Sequence, residues 1–190
     1  SRVPQQLAPT PIFASGSQFT LDGSPFFPAA TQQILSDAFG DGVDTDGDGI
    51  DDTASAFVRR RLEEVGPRIS DDLYTGFQIK GGVRGEIPNT TWTYDAYIQE
   101  GSVTSSNTQS GNVNRDRFAQ ALLLDLAADP TGATCADSSA NGSTTDCAPI
   151  NIFGAGNISQ DGAAYLRTAV AAIGTFDQTV ASVNFAGELF

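Results

Sequence analysis

The chain has 190 residues, enough for one domain around one core. Ten basic residues against 23 acidic ones leave a formal charge of -13, so a phosphate backbone is repelled and no nucleic-acid partner is expected. With no His and two Cys, the chain lacks the parts of a Ser-His-Asp triad, a Cys-His pair or a Cys/His zinc site, and it is not expected to be an enzyme.

No apolar run approaches the roughly 18 residues that a membrane-crossing helix needs. Ser1-Arg2-Val3-Pro4 has neither a basic start nor an apolar stretch, and the chain has no Met, so it reads as a processed chain or an internal piece. Gly, Ser, Thr, Asn and Asp are abundant and Lys80 is the single lysine, which favours strands joined by polar loops.

Residues 1–55 read as a loop-rich segment that carries the sharpest local signal, Asp44-Thr45-Asp46-Gly47-Asp48-Gly49-Ile50-Asp51-Asp52. It fits D-x-D-x-D-G, in which carboxylates at positions one, three and five converge on a hard cation and Gly at six permits the turn. Asp44, Asp46 and Asp48 are the candidate side-chain ligands, Ile50 the carbonyl ligand, and Asp52 a direct or water-mediated one. Ser55 stands where an EF-hand needs its bidentate acid, so the loop resembles the calcium loops of thrombospondin type 3 repeats instead. A structural calcium ion is the expectation, and the alternative is a solvated acidic turn.

A strand is predicted from about Phe57 to Ser70, with its alternation blurred by Arg59-Arg60-Arg61 and Glu63-Glu64, which are expected to pair with one another. From Leu73 to Ile87 the bulky apolar residues Leu73, Phe77, Ile79, Val83 and Ile87 hold odd positions, while Gln78, Lys80, Arg84 and Glu86 hold even ones. Pro88-Asn89-Thr90 makes a plausible tight turn, after which Trp92, Tyr94, Ala96 and Ile98 share one face opposite Thr93, Asp95 and Gln99. The two runs make a hairpin of strands about 13 to 15 residues long with one apolar and one charged face. Glu86, Asp95 and Glu100 sit near it without a cleft to make them an acid/base pair.

Helices are predicted over Arg115–Leu126 and Asp161–Ile173. Between them Cys135 and Cys147 bracket a polar stretch. A disulfide there would contribute on the order of 3 kcal/mol and calls for an oxidising compartment, while two free thiols are the alternative. A last strand places Thr179, Ala181, Val183, Phe185 and Leu189 on one face. Phe190 has the wrong parity for the aromatic end of an outer-membrane barrel, which reads as a cut after a strand that continues or turns.

The segments FVRRRLEEVGPR (57–68), GFQIKGGVRGEI (76–87), WTYDAYIQEG (92–101), NVNRDRFAQALLLD (112–125) and PINIFGAGNIS (149–159) come in the order seen in TonB-dependent outer-membrane receptors, and residues 56–190 resemble part of that family's β-barrel. The resemblance implies a mainly β fold: long antiparallel strands and hairpins of a partial outer-membrane-type barrel, with long loops and one or two short helices. It implies a barrel of about 22 strands plugged from the periplasmic side, importing scarce nutrients in the bacterial outer membrane. The partners it implies are the remainder of the barrel and its plug, outer-membrane lipid, and an energy-transducing inner-membrane complex reached through a plug this chain lacks. A closed membrane barrel takes at least about eight strands, so the chain is expected to be a segment. The competing expectation is a secreted, calcium-stabilised β-rich surface-layer or fibre subunit at the cell surface or outside the cell.

Overall fold

The computed structural model describes residues 1–136 and 147–188, so Leu189 and Phe190 lie outside the described residues. The chain is mainly β, and among the described residues there are two antiparallel sheets, three short α-helices and no closed barrel. In chain order the elements are β1 (Arg2–Leu7), β2 (Pro11–Thr20), α1 (Ala29–Phe39), β3 (Thr53–Arg61), a 3-10 turn (Glu63–Val65), β4 (Arg68–Glu86), β5 (Thr93–Val113), α2 (Arg115–Ala121), α3 (Gln160–Leu166) and β6 (Arg167–Ala186). They fall into two compact units, one of residues 1–5, 70–108 and 171–190, the other of residues 6–69 and 109–170.

The first unit is an open sheet in the order β1-β4-β5-β6. Its hairpin turns on Pro88 followed by Asn89 at φ 64, with the Thr90 amide donating to the Ile87 carbonyl. Proline presets φ at the first corner and asparagine tolerates the left-handed second corner, the pattern of a type II turn. The Ile87 amide donates to the Trp92 carbonyl, and Gly85 abuts Tyr94, Gly82 abuts Tyr97 and Gly76 abuts Val103, which fixes one uninterrupted register between β4 and β5. Between β5 and β6 the Thr104 and Thr175 hydroxyls lie 3.4 Å apart, and Thr93 donates to the Ala186 carbonyl.

That register puts Val83, Ala96 and Val183 in one row, and together with Ile98 and Ala181 they line one shallow surface. Phe77, Ile79 and Val83 are 64%, 70% and 65% exposed. On the other face Lys80 Nζ lies 3.6 Å from the Tyr97 ring centroid, and Asn107 donates to the Ser70 hydroxyl and to the Asp72 carboxylate. Along β4 the predicted split between an apolar and a charged face is present in the folded sheet, while the same register sets Glu100 beside Ile79 on the apolar face and pairs the exposed Val103 and Phe176 on the other. The strands are longer than their alternation suggests, 19 and 21 residues for β4 and β5, because small polar residues such as Ser102 to Ser106 extend a ladder that backbone hydrogen bonds hold.

The second unit holds the core. Strands β2 and β3 pair antiparallel from Pro11 opposite Arg61 to Thr20 opposite Thr53, with a bulge between Ala14 and Ser17 where Gly16 takes φ 64. Ile12, Phe19, Leu21, Val58, Leu62, Phe118, Ile150 and Leu166 are buried together. Two aromatic contacts join this core to Phe153, from Phe19 at 5.3 Å and Phe27 at 4.6 Å between ring centroids. The Asn114 side chain caps α2 by accepting from the Asp116 and Arg117 amides at 2.9 and 3.1 Å.

Three sequence expectations change here. The predicted strand over 57–70 is broken at the 3-10 turn: Leu62 drops into the core, Gly66 takes φ 88, and Pro67 precedes the start of β4. The helices end early, at Ala121 and Leu166. Residues Arg167–Ile173 join β6 despite their alanines, because pairing with β5 and the branched Thr168, Val170 and Ile173 outweigh helix propensity. Residues 1–55, read as loop-rich, contain β1, β2 and α1. Strand status there comes from nonlocal partners, and Pro4 fits a short edge strand.

Candidate functional site

The acidic loop is held by the ends of β2 and β3. The Leu21 amide donates to the Asp52 carbonyl at 2.9 Å, the Asp52 amide to the Val43 carbonyl at 2.7 Å, and the Asp41 amide to the Thr53 carbonyl at 3.3 Å. Because Thr20 pairs with Thr53, the second residue past β2 lies beside the loop that leads into β3. That residue is Asp22, and its carboxylate joins those of Asp46 and Asp48 with ligand oxygens all within 4.8 Å of one another.

Asp22 carries no motif of its own, and only the β2–β3 pairing brings it near Asp46 and Asp48. A strand signal over Pro11–Thr20 followed by the Asp22-Gly23 turn would have found it, but Ala14, Ser15, Gly16 and Ser17 blur that signal. The other sequence candidates, Asp44, Ile50 and Asp52, lie outside this group of three. Asp44 accepts from the Gly47 and Gly49 amides at 2.7 and 2.9 Å, which holds its carboxyl below the usual range. Asp52 accepts from the amide and hydroxyl of Thr45, and the Ile50 amide donates to Asp48. Asp41 is lowered by the Thr53 hydroxyl and then the Val43 amide. Asp22 moves the other way, pushed up by desolvation and then by the charges of Asp48 and Asp46.

A group of hard carboxylate oxygens that repel one another is chemically suited to calcium or to protonation, and unsuited to soft or nitrogen-seeking metals. Asp22→Asn is accordingly expected to stabilise the chain in chelator by about 0.5–1 kcal/mol at low salt, an effect that screening reduces. Urea unfolding in EDTA at two salt concentrations checks it.

Cys135 and Cys147 are disulfide-bonded with Cα atoms 6.1 Å apart, as their spacing suggests. Such a bond belongs in an oxidising compartment. Among the described residues no helix is long and apolar enough to cross a membrane. Of the arginine triplet, Arg60 pairs with Glu64, Arg59 lies over the Phe13 ring at 5.5 Å, and Arg61 donates to the Pro9 carbonyl at 3.1 Å. Compared with family models, curated proteins and solved structures, the chain matches none.

Proposed function

We propose that the chain is a segment of a TonB-dependent outer-membrane receptor, contributing strands to a nutrient-importing barrel in the bacterial outer membrane. The observation that carries this reading is the two-faced sheet. A tilted strand crosses a bilayer with about 9–11 residues, and β4, β5 and β6 exceed that length at 19, 21 and 20. One face exposes the large apolar side chains of Phe77, Ile79, Val83, Ile98, Val183 and Phe185, the kind of exposure that marks an interaction or membrane surface. The opposite face carries Lys80, Arg84, Asp95 and Asn184, suited to a wet lumen. The segments quoted above add the family, and the rest of the barrel, the plug and the inner-membrane energy source follow from it as partners.

In this reading the loop of Asp44, Asp46, Asp48, Ile50 and Asp52, with Asp22 added, takes a structural calcium ion that braces the 40–52 connection. The support is the D-x-D-x-D-G spacing and the oxygen-only donor set. The open edge of β6 favours a second reading, a calcium-dependent surface subunit that assembles by strand pairing. Flotation with phospholipid vesicles separates the two. The receptor reading expects the refolded chain to float with vesicles and to precipitate without lipid or detergent. A chain that stays soluble in water and polymerises when calcium is added contradicts it.

A further inference from the structure

Where β2 interrupts its pairing with β3, the second unit carries a cavity of about 240 Å³, away from the acidic loop. The ladder passes from Ala14 opposite Val58 to Ser17 opposite Ala56, so Ser15 and Gly16 have no cross-strand partners, and Gly16 takes φ 64. Such a bulge bends its strand and re-aims the side chains beside it. Arg115, the first residue of α2, lines the cavity together with Ser17, and Ile12 and Phe118 supply apolar wall.

Two observations set the chemistry. Ser17 lies on the core-facing side of β2 with Ile12 and Phe19 and is only 7% exposed, yet among the described residues no hydrogen bond engages its hydroxyl. Buried polar groups normally have a partner. Glu64 Oε2 is the one fully enclosed side-chain atom without a partner among the described residues, so the Ser17 hydroxyl keeps access to the solvent of the cavity. The second observation is Arg115, which among the described residues forms neither an ion pair nor a side-chain hydrogen bond, in a cavity that no carboxylate lines.

An ammonium is repelled by Arg115 and finds no counter-charge here. A wholly apolar ligand leaves the guanidinium and the Ser17 hydroxyl without partners. A multiply charged anion meets a single cation against the chain's net charge of -13, and it leaves the apolar wall uncovered. A monocarboxylate meets each requirement. Its two oxygens match the guanidinium fork and accept from a hydroxyl, while its carbon body covers Ile12 and Phe118. The volume lies below the roughly 300–1,000 Å³ of drug-sized ligand sites, which limits that body to a few carbons or one ring.

We propose that this cavity binds a small apolar monocarboxylate, a short-chain or single-ring organic acid, with its carboxylate held by Arg115 and Ser17. The site lies within the second unit and does not depend on the receptor assignment.

The test is equilibrium dialysis at pH 8 of radiolabelled benzoate and butyrate against the full chain in nonionic-detergent micelles, with chain-free micelles as the blank for partitioning. Benzamide and inorganic phosphate serve as the neutral and the multiply charged counterparts. At least one carboxylate is expected to bind above the blank, and benzamide and phosphate are expected to stay at it. Arg115→Gln, at an exposed position, is expected to weaken binding at least tenfold, and Ser17→Ala, which removes only the hydroxyl, about fivefold. Uptake of neither carboxylate, uptake of benzamide or phosphate equal to that of the carboxylates, or unchanged uptake by Arg115→Gln would overturn the proposal.

Discussion

Phe118→Ala is expected to remove about 3–5 kcal/mol from the stability of the chain, the range for truncating a large aromatic side chain in a close-packed core. Phe118 is 1% exposed, and it projects from a two-turn helix too short to be stable unaided. The capping side chain of Asn114 starts that helix and packing against α3 and β2 keeps it, so deleting the ring removes both the buried area and the anchor. Phe118→Leu leaves most of the volume in place and is expected to cost less than about 1.5 kcal/mol. Urea unfolding followed through the near-ultraviolet aromatic signal measures the difference. A loss under 1 kcal/mol for the alanine variant would show that residues 6–69 and 109–170 are not organised around this ring.

In bilayers the proposed receptor segment makes a face-specific prediction. Ile79→Arg is expected to cost about 2–4 kcal/mol in a lipid-reconstituted sample, the penalty for a guanidinium at mid-membrane depth on the lipid side of a barrel, and Gln78→Arg less than about 1 kcal/mol. The two positions are neighbours on β4, so helix or strand propensity, loop strain and chain length are common to both. Only the direction of the side chain differs. Ile79 is 70% exposed, so within the chain itself the arginine displaces no packed core. The contrast between the two positions, read by urea titration in vesicles, is the signature of a face that meets hydrocarbon. Equal costs at 78 and 79 in vesicles would remove it.

What the sequence discloses is what depends on near neighbours. The odd positions of Leu73 to Ile87 and the even positions of Trp92 to Ile98 share a face because side chains alternate along any extended chain, and Pro88-Asn89 closes the turn between them within four residues. The cysteine pair is legible for a similar reason, as the twelve-residue separation leaves few ways to order a polar loop. Partnerships across long stretches of chain stay hidden. Arg2–Leu7 is a strand because β4 is beside it, and the exchanged hydrogen bonds between Ser1 and Tyr74 span more than seventy residues. Asp22 meets Asp46 and Asp48 only because Thr20 pairs with Thr53. The alanines of 169–172 show the same dependence in reverse, since their local preference for helix yields to the ladder with β5. The Arg60–Glu64 pair was within reach, being an i,i+4 pair of opposite charges, whereas the unpartnered Oε2 depends on the 152–156 loop arriving from elsewhere.

The most direct test of the lipid-facing sheet is a scan of single environment-sensitive fluorophores along β4. Cysteines introduced one at a time at 77 to 84, in a chain whose own two cysteines are disulfide-bonded, are labelled with a nitrobenzoxadiazole probe after reconstitution into vesicles. The account predicts bright, blue-shifted emission at 77, 79, 81 and 83, quenched by lipid-borne spin labels, and dim emission open to aqueous quencher at 78, 80, 82 and 84. Emission that shows no two-residue alternation, or that remains aqueous at every position, would contradict it.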